Sequence, residues 1–367
     1  LKKSQRMAIK EYDVFVIGTG TAGKTVAFDC AAEEMKVAIA DNREFGGTCA
    51  NRGCDPKKVL VGITEAIHLS ECLEGKGIVT VPKIDWAALQ EFKSTFTDAV
   101  PASTEKKIKE AGIDMFHQSP KFLDENTLSV EGKTVKAKKI VIATGQKPME
   151  LKIPGREHLM ISDDFLNLKE LPESIVFVGA GYIGMEFAHI AARCGAKVTV
   201  IEFGDRPLHL FEAAIVSHLT KASEELGIKF IFNAKVSAVE KLQKNYRVSF
   251  QKNGKTESVD TRMVFNTAGR VPSIDKLDLE KGYKITVEYK SVPKWFNAKR
   301  ISEKVYAYKT IVDKDRNLIL GAHIIASEAG EMINLFVLAM CGKLTTENLK
   351  AMIFAYPTWG NDIKGMV

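Results

Sequence analysis

Two cysteines, Cys49 and Cys54, stand five positions apart in the run Gly46-Gly-Thr-Cys-Ala-Asn-Arg-Gly-Cys-Asp-Pro-Lys-Lys58. A close thiol pair can carry electrons, hold a metal or staple a loop. Zinc would need two more ligands at short spacing. None of the seven histidines, His68 being the nearest, offers such a motif, so no metal is expected. The start of the chain, LKKSQRM, runs into a strand rather than a signal-peptide core, and Met7 is a candidate native start. A cytoplasmic protein is therefore expected, and in a reducing compartment such a pair is more often catalytic or metal-binding than structural. In a regular helix a spacing of five separates the Cα atoms by about 8 Å, farther than a disulfide allows. The turn must therefore be distorted, which Gly53 and Pro56 permit. A helix start and the charges of Arg52, Lys57 and Lys58 are expected to lower a thiol pKa and favour thiolate, while Asp55 opposes them. The other four cysteines, Cys30, Cys72, Cys194 and Cys341, stand alone in apolar helical contexts and read as small buried residues.

The elements that position this pair form one half of an internal repeat. Tyr12-Asp-Val-Phe-Val-Ile17 reads as a buried strand, followed by the turn Gly18-Thr-Gly20-Thr-Ala-Gly23, a helix to about Glu34, and a strand Lys36–Ala40 closed by Asp41. Ser174–Val178 runs likewise into Gly179-Ala-Gly181-Tyr-Ile-Gly184, a helix to about Cys194, and Lys197–Ile201 closed by Glu202. First glycine and acid are 23 positions apart in both halves. The first glycine permits the tight turn, the second admits a pyrophosphate, and the third lets helix and strand pack closely. The pyrophosphate meets free N–H groups at the helix start, and the acid takes the adenosine ribose. Two complete units imply two dinucleotides. The cysteines follow Asp41 by eight residues, so the redox-active ring belongs near the first unit. FAD is expected there and the nicotinamide nucleotide in the second. Glu202 suits a free 2′-hydroxyl and repels a 2′-phosphate, which favours NADH over NADPH; Arg206 lies close enough to soften that preference.

With the cysteine segment, both Gly-rich units, Ala143-Thr144-Gly145 and Thr267-Ala268-Gly269-Arg270, the sequence resembles the pyridine nucleotide–disulfide oxidoreductases of the glutathione reductase and dihydrolipoamide dehydrogenase type. The resemblance covers most of the chain. It implies an α/β fold with two Rossmann-like domains, for FAD and NAD, and a C-terminal α+β dimerisation domain. Residues 1–150 would be the FAD domain, 151–270 the NAD(P) domain, 271–282 a shortened return to the FAD domain, and 283–367 the dimer interface. Cys54 would face the flavin and Cys49 exchange with substrate. Gly47, Thr48, Thr144, Gly145, Gly269 and Arg270 would join the motif glycines in binding cofactor. Tyr182 resembles the aromatic gate over the flavin. Glu186 resembles the glutamate that pairs with a lysine near it, with Lys58 the expected partner and Lys57 the alternative. The implied reaction passes electrons from NAD(P)H through FAD to the cysteine pair and on to a small disulfide, or the reverse.

Two departures set limits. The family's His-Pro is here Tyr356-Pro357, so Tyr356 stands where an acid/base histidine is usual, and a phenol near pKa 10 matches neutral pH poorly. Asp362 is the candidate for the following glutamate. Relative to the family, some tens of residues are also missing near position 280, where it carries a Gly-Asp that contacts the flavin side chain, and their loss would remove part of the FAD wall. A diaphorase that reduces quinones directly, or a redox-sensing nucleotide-binding protein without turnover, are the rival readings.

Composition agrees with a folded, multidomain protein. The 367 residues exceed one ordinary core, and 45% hydrophobic with 27% charged residues is globular usage. The net charge of +6 is spread in mixed-sign runs, which argues against nucleic-acid binding. No apolar run is long enough to span a membrane. Lys229–Thr267 alternates as antiparallel strands do, Ile301–Ile325 reads as short strands, and Glu328–Met340 as an amphipathic helix with Met332, Leu335, Phe336 and Met340 on one face.

Overall fold

A computed structural model of the protein describes residues 9–282, 285–302 and 304–367. Met7, the basic run around it and Lys284 lie outside the described residues. The described residues form two compact units, one drawn from positions up to 120 and 129–277, the other from 121–128 and 278–367.

The first unit holds both halves of the repeat. Strand β1 (Lys10–Ile17) is central, and its run Phe15-Val-Ile17 is buried on both faces, as a strand inside a parallel sheet must be. It pairs in parallel with β2 (Val37–Ala40) and with Lys133–Ile142, while β2 pairs with β3 (Asp114–Phe116). Helix α1 (Thr21–Ala32) crosses from β1 to β2. Beyond it lie α2 (Gly47–Arg52) and α3 (Cys54–Cys72). In the second half Ser174–Val178 is flanked in parallel by Lys197–Ile201 and Met263–Asn266, and Lys229–Ile231 extends the sheet. Helix Tyr182–Arg193 makes the crossover and buries Met185, Phe187, Ala188 and Ile190. Phe187 stacks on Phe165 at 4.2 Å within this half's core.

The antiparallel expectation for 229–267 needs correction at both ends. Only Lys235–Lys241, Tyr246–Lys252 and Lys255–Thr261 form an antiparallel meander. The flanking strands Lys229–Ile231 and Met263–Asn266 are drawn into the parallel sheet, where Ile231, Val264 and Phe265 are buried.

In the second unit Ile285–Ser291, Ala307–Asp313 and Ile319–Ile325 form an antiparallel sheet. Helix Ala329–Cys341 buries Met332, Phe336 and Ala339 beside Tyr306, Tyr308 and Trp359. None of the four lone cysteines is fully buried: Cys30 and Cys194 are half-buried, and Cys72 and Cys341 each end a helix and are exposed. Among the described residues no helix is long and apolar enough to cross a membrane.

Candidate active site

The first Gly-rich turn is built by contact. Gly18 takes φ 114°, and a Cβ there would fall 2.2 Å from the Ala143 carbonyl oxygen. Gly23 packs behind it, against the Gly18 carbonyl. Helix α1 starts after Gly20 with no side-chain cap, so the N–H groups of its first turn lack an intrahelical partner and suit an anion. Asp41 is fixed by this turn. Its Oδ2 accepts hydrogen bonds from the Thr19 N–H at 2.8 Å and the Thr19 hydroxyl at 2.7 Å. The fully buried Thr19 hydroxyl also accepts the Gly46 N–H at 3.2 Å. Gly47, at φ 78°, presses on Gly20 so tightly that a Cβ would meet its Cα at 2.3 Å. Loop, acid and the start of the cysteine-bearing helix are thus one assembly.

A cavity of about 560 Å³ opens beside it. Gly18, Gly20 and Asp41 line one part, and Gly47, Thr48, Cys49 and Cys54 another. Thr144, Gly145 and Arg270 also reach it, whereas Gly23 and Gly269 do not. The stretch after Gly269 contributes Arg270, Ser273, Asp275 and Lys276 to the wall. Arg270 donates to the Gln146 carbonyl and Lys147 pairs with Asp275. The uncapped helix start, the acid and the two thiols around one cavity fit an FAD-sized dinucleotide.

The cysteine turn is distorted at Gly53. Helix α2 stops at Arg52, Gly53 adopts φ −145° and ψ −110°, and α3 starts at Cys54. A Cβ on Gly53 would lie 2.8 Å from the Thr48 carbonyl oxygen. Both cysteines are free thiols. The expected thiolate does not hold for Cys49, whose pKa is pushed up to about 11. Burial is the main cause, followed by the hydrogen bond and charge of Cys54 and the charge of Asp55. A hydrogen bond from the Cys54 backbone at the start of α3 does lower it, but burial outweighs this. Two of the cations expected to help are already paired. Arg52 binds Glu44 at 2.9 Å with Asp163 3.9 Å away, and Lys57 binds Glu186 at 2.6 Å.

That last pair also corrects the lysine assignment: Glu186 is held by Lys57, not Lys58. Successive helix residues point about 100° apart, so the two lysines of α3 meet different sides of helix Tyr182–Arg193, and it is Lys57 that pairs with Glu186. Lys57 is largely covered there, while Lys58 is exposed and lines a separate groove of about 450 Å³ with Tyr182, Glu186 and His189. Lys57, Thr19 and Asp163 are the residues sequence reasoning missed or ranked second. Only the Lys57-Lys58 doublet carried a signal.

The second Gly-rich turn repeats the first. Gly179 takes φ 103°, Gly184 packs behind it, and helix Tyr182–Arg193 starts after Gly181 without a side-chain cap. Glu202 Oε2 accepts the Ala180 N–H at 2.6 Å and Oε1 the Gly204 N–H at 2.8 Å. Acid and clamped amide are 22 residues apart in both halves. Arg206 is not directed at Glu202, as the softening role requires. Its guanidinium donates to the carbonyls of Leu208, His209 and Phe211 at 3.2, 2.9 and 3.1 Å. Tyr182, the first residue of the helix, is 57% exposed.

In the second unit Tyr356 is exposed and lies against Phe296, with ring centroids 5.7 Å apart. Asp362 is committed elsewhere: its Oδ2 accepts from the Tyr306 hydroxyl at 3.0 Å and Asn297 Nδ2 at 3.1 Å. Among the described residues no group of three or more His, Cys, Asp or Glu is arranged to hold a metal.

A family profile described as pyridine nucleotide-disulphide oxidoreductase matches residues 12–308, and the dimerisation domain of the same family matches 279–367. The chain is 31% identical over 283 residues to a dihydrolipoyl dehydrogenase of Geobacillus stearothermophilus, covering 75% of this chain and 60% of that protein. It is 34% identical over 275 residues to a glutathione reductase of Nostoc sp., covering 74% and 59% respectively. It therefore spans about three fifths of the length of these relatives. The solved HOCl-induced flavoprotein disulfide reductase RclA from Escherichia coli superposes with TM-score 0.64 at 22% identity, over 96% of this chain and 99% of that one. That likeness concerns the fold.

Proposed function

Because this chain belongs to the pyridine nucleotide-disulphide oxidoreductase family, we propose that it is an FAD-dependent NAD(P)H:disulfide oxidoreductase acting through Cys49 and Cys54. One observation carries the reading: a single cavity joins a dinucleotide-type turn, its acid and both thiols. FAD bound there would supply two-electron transfer between nicotinamide and sulfur. The N–H groups opening α1 receive its pyrophosphate, and Asp41, already oriented by Thr19, keeps lone pairs for the ribose. The second turn, with Glu202, takes the nicotinamide nucleotide, NADH in preference to NADPH, and Tyr182 lies at the start of the same helix. Glu186 accepts from the Lys57 ammonium at 2.6 Å, tying helix Tyr182–Arg193 to the cysteine-bearing α3.

The sulfur chemistry falls to this chain's own residues. Two electrons and two protons open a Cys49–Cys54 disulfide to the dithiol. Cys49 must then lose its proton, attack a small substrate disulfide and expel one thiolate. Cys54 closes on the mixed disulfide and expels the second. The protons released by the two cysteines return to the leaving sulfurs. Tyr356, the residue in the usual acid/base position, is the candidate to move them, in a homodimer formed through the second unit. Leu338, Ile353 and Tyr356 are exposed on that unit, and a shared interface would cover such residues. A diaphorase is the second reading, favoured by the protonated Cys49 together with Tyr356 in place of histidine.

The test is the absorbance spectrum of purified protein before and after anaerobic NADH. A bound-flavin spectrum that gains a long-wavelength thiolate-to-flavin band supports one path through both cofactors and the cysteines. A colourless protein that takes up no FAD overturns the reading. Cys54→Ser separates the two enzymes: the disulfide reductase loses disulfide reduction and keeps quinone reduction, whereas the diaphorase is unaffected.

A further inference from the structure

The second Gly-rich turn carries one group without a role so far. His209 Nε2 lies 3.8 Å from Glu202 Oε1, within ion-pair range but too far for a direct hydrogen bond. Its ring covers Gly204 so closely that a Cβ on Gly204 would fall 1.8 Å from Nε2. The ring's place is fixed from behind. Arg206 donates to the His209 carbonyl at 2.9 Å, and the neighbouring Leu208 N–H donates to the Ala180 carbonyl at 3.0 Å. Imidazole, acid and Gly-rich turn therefore form one built cluster. Glu202 is mostly covered, 13% exposed, and spends one lone pair of each oxygen on a backbone amide. His209 is 48% exposed and is the member of the pair that an arriving ligand meets first.

Resting on the reading of this turn as the nicotinamide-nucleotide site, we propose that His209 determines how strongly the site discriminates against a 2′-phosphate. A carboxylate alone accepts a ribose diol and repels a phosphate at the same carbon. An imidazole beside it offers an N–H to the phosphate oxygens and, when protonated, offsets the carboxylate's charge. Arg206, the residue expected to do this, is occupied in holding the loop that presents His209. The cluster therefore tolerates both coenzymes, and loss of the imidazole leaves Glu202 to select for NADH alone.

The experiment is calorimetric titration of FAD-saturated protein, whose first turn is filled, with adenosine 5′-monophosphate and adenosine 2′,5′-bisphosphate. His209→Ala should weaken the bisphosphate about fivefold relative to the monophosphate, the worth of a half-exposed charged contact. His209→Lys, which keeps a cation, should hold or raise the ratio. The ratio of kcat/KM for NADPH over NADH should move in parallel. A nucleotide ratio unchanged in His209→Ala overturns the role of His209 and leaves the coenzyme site standing. Failure of both nucleotides to bind, or binding indifferent to Glu202→Ala, overturns the coenzyme reading and the proposal with it.

Discussion

The protonated state of Cys49 can be measured directly. Its pKa is pushed up from the ordinary 9.0 to about 11. At about pH 8 the thiolate fraction then falls from roughly one in ten to roughly one in a thousand, a hundredfold loss. A more basic sulfur is intrinsically more nucleophilic, with a Brønsted slope near 0.4–0.5, which returns about tenfold. Reduced, cofactor-free protein should therefore be alkylated at Cys49 about tenfold more slowly by iodoacetamide than the same protein in concentrated urea. Peptide mass mapping gives the rate, with the exposed Cys341 as internal reference. The rate should climb about tenfold per pH unit until the pH approaches the folded pKa. Asp55→Ala should speed alkylation by less than unfolding does, because burial is the largest cause and Asp55 a smaller one. The linked stability has a definite sign. A thiol whose pKa is raised by folding contributes stability fully below about pH 9, and that contribution is lost as pH rises through about 11. Equal Cys49 rates in folded and unfolded protein, or a rate flat between about pH 7 and 9, would refute the reasoning.

Three further outcomes follow from the geometry. Thr19→Val removes the hydroxyl shared by Asp41 and Gly46 and leaves a buried N–H unpaired, so urea unfolding should show a loss of about 1–3 kcal/mol, with Thr19→Ser close to wild type. Lys57→Ala should cost about 1 kcal/mol by the same assay and Lys58→Ala almost nothing; the reverse order would refute the Lys57–Glu186 assignment. Gly47→Ala combines a left-handed backbone with a 2.3 Å clash against Gly20, and thermal unfolding should register a loss of about 3 kcal/mol or more.

Much of this was legible in sequence because it is local. Both Gly-rich turns, the strands feeding them and the acids closing them follow from spacing within a few dozen residues. That the turn between the cysteines is distorted followed from the disulfide distance, with Gly53 and Pro56 both offered for it and Gly53 the residue that carries it. What sequence hid depends on side-chain phase or distant partners. Lys57 and Lys58 differ by one helical step, and only the position of the Glu186 helix distinguishes them. Arg52, Lys57 and Lys58 promised a thiolate, but Glu44 and Glu186 had already claimed two of the charges and burial settled the rest. Tertiary packing likewise turned the ends of 229–267 into parallel strands.

Asp41 and Glu202 each grip the amide of the residue after the first glycine of their turn, at 2.8 and 2.6 Å. Each turn is therefore held in shape before a ligand arrives, and ligand binding need not supply the entropy of ordering it. The two amides are also natural clocks. In deuterium exchange, Thr19 N–H reports opening of the first half and Ala180 N–H opening of the second, so one protein carries two independent readouts of loop breathing. A dinucleotide entering one half should slow its own clock and leave the other's pace unchanged, which reveals which cofactor sits where without any turnover.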